Sequence, residues 1–126
     1  MSENLGFYSK DIIKTSNKDD WETPQELFED LDYYYRFTLD PCATHKNAKC
    51  EKYYTREDNG LIKSWKDEIV FMNPPYGRDI KLWVKKAHEE YMFNNATVVC
   101  LIPARTDTSY WHEYIFSNGY DVKFLR

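Results

Sequence analysis

Two apolar runs dominate the chain, and neither alternates with polar residues. Ile69-Val70-Phe71-Met72 and Ala96-Thr97-Val98-Val99-Cys100-Leu101-Ile102 are apolar on successive positions, so both faces of each strand are expected to be covered. That pattern belongs to a parallel sheet with helices on either side. Between them, Ile80, Trp83, Val84, Ala87 and Tyr91 recur at helical spacing and predict an amphipathic helix ending near residue 92. An earlier helix is predicted from about 24 to 35, with Leu27, Phe28, Leu31 and Tyr35 on one face. Thr23 stands where an N-cap would, Pro24 suits the first turn, and Glu26 completes a T-x-x-E capping box. Phe37-Thr38-Leu39 reads as a short strand stopped by Asp40-Pro41, and Asp121–Leu125 as a last one. Tyr53-Tyr54-Thr55 is a further strand candidate, Asp58-Asn59-Gly60 a turn, and Leu61, Ile62 and Trp65 a short helix. Tyr110, Trp111, Tyr114 and Ile115 suggest another. Strand and helix alternate, so the fold class is α/β with four to five mostly parallel strands.

Residues 1–20 are polar and mixed, and read as a mobile or loosely attached arm. Residues 21–126 then form a single domain. The chain ends at Arg126 on strand-forming residues, as a sheet truncated at its C-terminus would. With 126 residues there is room for one core and little for a second.

Chemistry concentrates where the first apolar run stops. Asn73-Pro74-Pro75-Tyr76-Gly77 follows it directly. Two consecutive prolines fix φ and donate no backbone hydrogen bond, and a proline keeps the preceding residue extended. The result is a stiff ledge at a strand's carboxyl end, the edge at which open α/β sheets bind ligands. An exocyclic amine such as adenine N6 has two hydrogens to give and a lone pair conjugated into its ring. The Asn73 carboxamide oxygen and the Pro74 carbonyl could accept one hydrogen each and free that lone pair for attack. Tyr76 could stack on the base, a contact worth about 1–3 kcal/mol. The plainer alternative is a Pro-Pro turn with a capping asparagine and a core tyrosine.

Other residues add less. Asp40 lies at a strand end before the small residues Cys42-Ala43-Thr44, a place where nucleotide-like ligands sit, yet no G-x-G accompanies it and a turn-forming aspartate has the same signature. Arg105 could meet a phosphate or form a local salt bridge. Cys42, His45 and Cys50 form a C-x2-H-x4-C string without a fourth ligand at the usual spacing, so packing cysteines and a surface histidine are expected rather than a metal site. The third cysteine is Cys100 and no C-x-x-C occurs, which fits a reducing cytoplasmic compartment. Net charge is −4, from 17 basic and 21 acidic residues. No basic run is present, so any contact with nucleic acid should be local. No apolar stretch approaches membrane length, and the N-terminus carries no basic-then-apolar leader.

The order of the pieces is W-x-T-P, then L-D-P-C-A, then N-P-P-Y-G, then L-I-P-A-R-T-D-T. From about Asp20 to the end, this resembles the phage-type DNA N6-adenine methyltransferases of the Dam family. The resemblance implies a Rossmann-like class I methyltransferase fold using S-adenosylmethionine. It implies that Trp21, Thr23 and Pro24 border the cofactor, that Asp40, with Pro41 and Cys42, lies near its methionine end, and that Asp58 faces its adenine. Asn73, Pro74, Pro75 and Tyr76 would hold the target adenine, flipped out of double-stranded DNA because its N6 is unreachable in the stack. Arg105 would contact the DNA, and no metal would take part. A phage or prophage protein in the bacterial host cytoplasm is implied. N-P-P-Y also occurs in enzymes that methylate glutamine amides or guanine N2 of RNA, and a catalytically inactive relic that binds cofactor or DNA is the reading from a different class.

Overall fold

A computed structural model describes residues 5–10, 23–75, 77, 79–103, 109, 113 and 120–125. Its elements are β1 (Leu5–Lys10), α1 (Gln25–Tyr35), a single 3-10 turn (Gly60–Ile62), β2 (Ile69–Met72), α2 (Ile80–Asn94), β3 (Thr97–Pro103) and β4 (Asp121–Leu125). The strands form one sheet in the order β2-β3-β1-β4. Every pair is parallel, with Val70 opposite Val98, Phe7 opposite Cys100, and Phe7 opposite Val122. The chain is thus an α/β protein with a parallel sheet, as the two-faced apolar runs require.

Those runs divide by alternate residues between two cores. Val70 and Met72 of β2 join Val98, Cys100 and Ile102 of β3 beneath Ile80, Trp83, Val84 and Ala87 of α2. On the opposite face, Phe71, Val99 and Leu101 meet Phe28 and Leu31 of α1. Successive strand side chains point to opposite faces, so an unbroken apolar run supplies both cores at once. Phe28 packs edge-on to Phe71 at 5.1 Å between ring centroids, and Phe37 lies 5.3 Å from Phe71. On the α2 face, Trp65 stacks near-parallel to Trp83 at 6.4 Å. Burying side chains of this size contributes about 1.5–3 kcal/mol each.

Several expectations need correction. Residues 5–10, assigned above to a loose arm, form β1 inside the sheet, between β3 and β4. The cause is non-local. The second edge of β3 carries backbone donors and acceptors that need partners once its faces are buried, and β1 supplies them. The capping box at the start of α1 is not formed. The N-cap is Pro24, extended at φ −56° and ψ 138°, and no side chain caps the helix. Phe37–Leu39 is not a full strand. Leu39 and Asp40 make isolated parallel bridges to Val70 and Tyr53, so the segment extends the sheet past β2 by single pairings. The short helix expected through Leu61, Ile62 and Trp65 is only the 3-10 turn, after which Trp65 enters the core. Tyr110, Trp111, Tyr114 and Ile115, expected on a further short helix, lie outside the described residues, as do residues 1–4 and 11–20 of the expected arm.

Helix ends are closed by left-handed residues. Arg36 (φ 61°) ends α1, and Asn95 (φ 56°) ends α2 with its N–H on the Glu90 carbonyl. Glu90 itself is buried, although its place in a polar helix tail reads as solvated. Its carboxylate accepts from Trp65 N at 2.8 Å, and from Lys86 Nζ and Asn94 Nδ2 at 3.0 Å each. The ammonium of Lys86 also reaches the Lys63 carbonyl at 2.6 Å and lies 5.4 Å from the Trp65 ring centroid. This network ties the 63–65 segment to α2. Removing one partner of a buried charge pair leaves the other uncompensated. Glu90→Ala should therefore cost about 3–5 kcal/mol in denaturant unfolding, and a loss under about 1 kcal/mol would show the carboxylate to be solvated instead.

Candidate active site

The parallel bridges set Leu39-Asp40 beside β2, so both chain segments leave the sheet at the same carboxyl edge. At that edge β2 runs directly into Asn73. Pro74 is buried, Pro75 is exposed and Asn73 is half-buried. Gly77 then takes φ 146°, a conformation that side-chain-bearing residues rarely adopt, and its carbonyl accepts from Ile80 N at 3.3 Å to start α2. The two prolines and this glycine lie between the end of β2 and the start of α2.

The Asn73 amide is fixed by a residue fifty positions away. Its Nδ2 donates to Thr23 Oγ1 at 2.8 Å, and Thr23 is itself buried at 5% exposure. The hydroxyl expected to cap α1 is instead bound to the first residue of the N-P-P turn. With Nδ2 so engaged, Oδ1 is directed to the other edge of the amide, sheltered from solvent.

Asp40 is held differently. Its carboxylate is buried, at 4% exposure, and accepts from Cys42 N (3.2 Å) and Lys49 N (3.0 Å). Burial raises its pKa above the ordinary 3.8, against the lowering effect of the two backbone N–H groups and the charge of Lys49. The aspartate thereby shapes the loop from 40 to 49. That loop is fastened to α1, because Lys49 Nζ donates to Gln25 Oε1 at 2.7 Å. Asn73, Thr23, Gln25, Lys49 and Asp40 thus form a continuous chain of bonded or near-adjacent residues across the sheet edge. Neither Lys49 nor Gln25 stands out in the sequence, since each lies in an ordinary charged or polar stretch.

The turn at 58–60 abuts the same loop. A Cβ on Gly60 would lie 2.6 Å from the Pro41 carbonyl oxygen and 3.1 Å from Cη2 of Trp83. The Gly60 carbonyl also accepts from Trp65 Nε1 at 3.1 Å. Asp58 is exposed, and its carboxylate accepts from Thr55 N at 2.9 Å and Thr55 Oγ1 at 3.2 Å. Those two bonds hold its pKa below the usual value, the backbone one most strongly. Asp58 is therefore a turn-closing acid next to the Asp40-Pro41 loop. His45 Nδ1 is hydrogen-bonded with the Tyr53 hydroxyl at 2.7 Å, and among the described residues no three His, Cys, Asp or Glu side chains gather as metal ligands would. The cysteines are free thiols. Trp21, Tyr76 and Arg105, expected to border the cofactor, the base and the DNA, lie outside the described residues.

A parallel sheet with a helix on each face, an Asn-Pro-Pro turn at one strand end and a buried acid at its neighbour's end define an α/β protein whose candidate site residues share one carboxyl edge. Comparison with known sequences specifies the family. The model of the DNA N-6-adenine-methyltransferase (Dam) family matches residues 10–126, and the chain belongs to that family. It is 31% identical over 119 residues to a DNA N-6-adenine-methyltransferase of Haemophilus phage HP1 (strain HP1c1), covering 93% of this chain and 68% of that protein. It is 39% identical over 98 residues to a DNA N-6-adenine-methyltransferase of Escherichia phage T1, covering 76% of this chain and 40% of that one. No solved structure matches the chain.

Because Gly60 seats the turn against a backbone carbonyl that cannot move aside cheaply, Gly60→Ala should destabilise the fold by about 1–3 kcal/mol in equilibrium unfolding. A midpoint within error of the wild type would mean that the Pro41 loop is free to yield.

Proposed function

We propose that the chain methylates adenine N6 in DNA, using S-adenosylmethionine, on a Rossmann-like sheet of the class I methyltransferase type. The observation that carries this reading is the Asn73 amide, set at the end of a rigid strand with its orientation fixed by a buried hydroxyl. Family membership supports it, as do the activities for which the two phage relatives are named.

The residues of the sheet edge fit the cofactor by their chemistry. Its methionine end is an ammonium beside a sulfonium, and the edge offers oxygen acceptors. Asp40 has lone pairs beyond the two that its loop amides use, and its raised pKa marks a carboxylate whose burial charge would offset. Pro41 and Cys42 would line that end with Asp40, Asp58 would face the adenine of the cofactor, and Trp21, Thr23 and Pro24 would border it from the start of α1. When bound, S-adenosylmethionine supplies an electrophilic methyl group on sulfur.

The chain's own part is positioning and charge stabilisation. Asn73 Oδ1 and the Pro74 carbonyl accept the two N6 hydrogens of the flipped adenine. As the nitrogen lone pair leaves conjugation, N6 gains positive character, and the two oxygens stabilise that charge where it develops. Prolines 74 and 75 keep the carbonyl from rotating away. Tyr76 stacks on the base, and Arg105 meets the DNA backbone. No basic run steers the duplex, so binding is local, with the net charge of −4 opposing it. Among the described residues no helix is long and apolar enough to cross a membrane.

Incubation with labelled S-adenosylmethionine and unmethylated duplex DNA, followed by nucleoside analysis, should yield N6-methyladenine. Transfer to RNA guanine or to protein glutamine, or binding without transfer, would replace this reading with one of its alternatives. Asn73→Ala should lower the turnover rate at least about a hundredfold with the fold intact. Retained turnover would remove Asn73 from the chemistry.

Asp40 gives the reading a pH dependence. Because the fold raises its pKa above 3.8, the native state holds the proton more tightly than the unfolded chain. The stabilisation from that proton is complete below 3.8 and is lost as pH rises through the folded pKa. Ammonium capture has the opposite sign, since it needs the ionised carboxylate. Cofactor affinity measured by calorimetry should therefore rise with pH through that window in the wild type and lose this rise in Asp40→Asn. Equal slopes in both proteins would place the ammonium elsewhere.

A further inference from the structure

We infer that Thr23 is a positioning residue for the transfer, acting through Asn73. The inference rests on the reading of Asn73 as the group that grasps N6. An asparagine amide is nearly symmetric in shape, and its two edges have opposite roles: one donates and the other accepts. A base amine can be gripped only by the accepting edge. If the amide turned over about its terminal torsion, two N–H groups would face two N–H groups and the adenine would be repelled. A broad terminal torsion gives the side chain little preference of its own. Something must hold the amide in place before the base arrives.

The Thr23 hydroxyl anchors the amide in the orientation seen, with Nδ2 on the hydroxyl and Oδ1 on the opposite edge. Its oxygen takes the Nδ2 proton at 2.8 Å from a site with 5% exposure, where water cannot readily substitute. Thr23 is rigidly placed. It directly precedes Pro24, whose φ is fixed by its ring, and Pro24 leads into α1, which is anchored by Phe28 and Leu31 in the core. The β-branched side chain of Thr23 has restricted χ1 as well. The hydroxyl is also not consumed in capping α1, since that helix begins without a side-chain cap. Local sequence logic assigns Thr23 to the helix behind it, and the geometry assigns it to the turn across the sheet edge. Placing a reacting group wrongly by about an ångström can cost a hundredfold in rate, so orientation of this amide is worth a comparable factor.

Thr23→Val keeps the shape and removes the hydroxyl, and Thr23→Ser keeps the hydroxyl. Turnover measured at saturating S-adenosylmethionine and DNA should fall roughly ten- to hundredfold in Thr23→Val and return to within about threefold of wild type in Thr23→Ser. The ligand-free protein gives a second readout. The Asn73 side-chain amide protons, identified in nitrogen-15 spectra by their disappearance in Asn73→Ala, should shift in Thr23→Val and stay near their wild-type positions in Thr23→Ser. Unchanged amide signals in Thr23→Val, unchanged turnover, or a serine variant as impaired as the valine one would overturn the inference. If Asn73→Ala retains full turnover, the reading of Asn73 falls. If Asn73→Ala is inactive while Thr23→Val is normal by both measures, only the role of Thr23 falls.

Discussion

Strand β2 is hydrogen-bonded along both edges, and the arrangement of the site depends on it. On one side it pairs in parallel register with β3, Val70 opposite Val98. On the other, Phe71 N donates to the Leu39 carbonyl at 2.9 Å, and Leu39 N donates to the Ile69 carbonyl at 3.2 Å. Slipping this register by one residue would exchange Phe71 with Val70 and Met72 between the two cores, which differ in shape and in the helix that covers them. The four residues of β2 are thus locked in direction and in height. Asn73 inherits that height because two prolines remove the freedom of the chain immediately after it.

From the same constraint comes the division of labour between the two acids at the edge. Asp40 leaves the sheet one strand away from Asn73 and turns its carboxylate onto its own loop, where the amides of Cys42 and Lys49 hold it. Asp58 closes a turn that Gly60 brings against Pro41. One acid is buried with a raised pKa and the other is exposed with a lowered one. Similar side chains within one loop system are therefore shifted in opposite directions: burial raises Asp40, whereas the two bonds from Thr55 lower Asp58.

The sequence makes the interior of the molecule easy to read, since apolar runs without alternation admit few arrangements. β2, α2 and β3 follow from them almost residue by residue. The N-P-P turn is equally legible, because proline acts locally. What the chain conceals is decided across long distances. Leu5–Lys10 contains glycine, serine and lysine, and it becomes a strand through the needs of β3 and β4 rather than through its own pattern. The T-x-x-E string from Thr23 to Glu26 looks the same whether or not it caps a helix, and the partner that claims the hydroxyl lies fifty residues on. Glu90 resembles any solvated acid until Trp65 N, Lys86 and Asn94 converge on it. Periodicity reports faces, but it does not report which polar atom meets which.

The proposed transfer turns on one edge of one amide. A crystal structure of the protein with a non-reactive S-adenosylmethionine analogue and an adenine-containing duplex would test it most directly. The expected result is an extrahelical adenine whose N6 lies about 3 Å from both Asn73 Oδ1 and the Pro74 carbonyl oxygen, with Nδ2 still on Thr23. An adenine held through other groups, or an Asn73 amide presenting Nδ2 to the base, would contradict it.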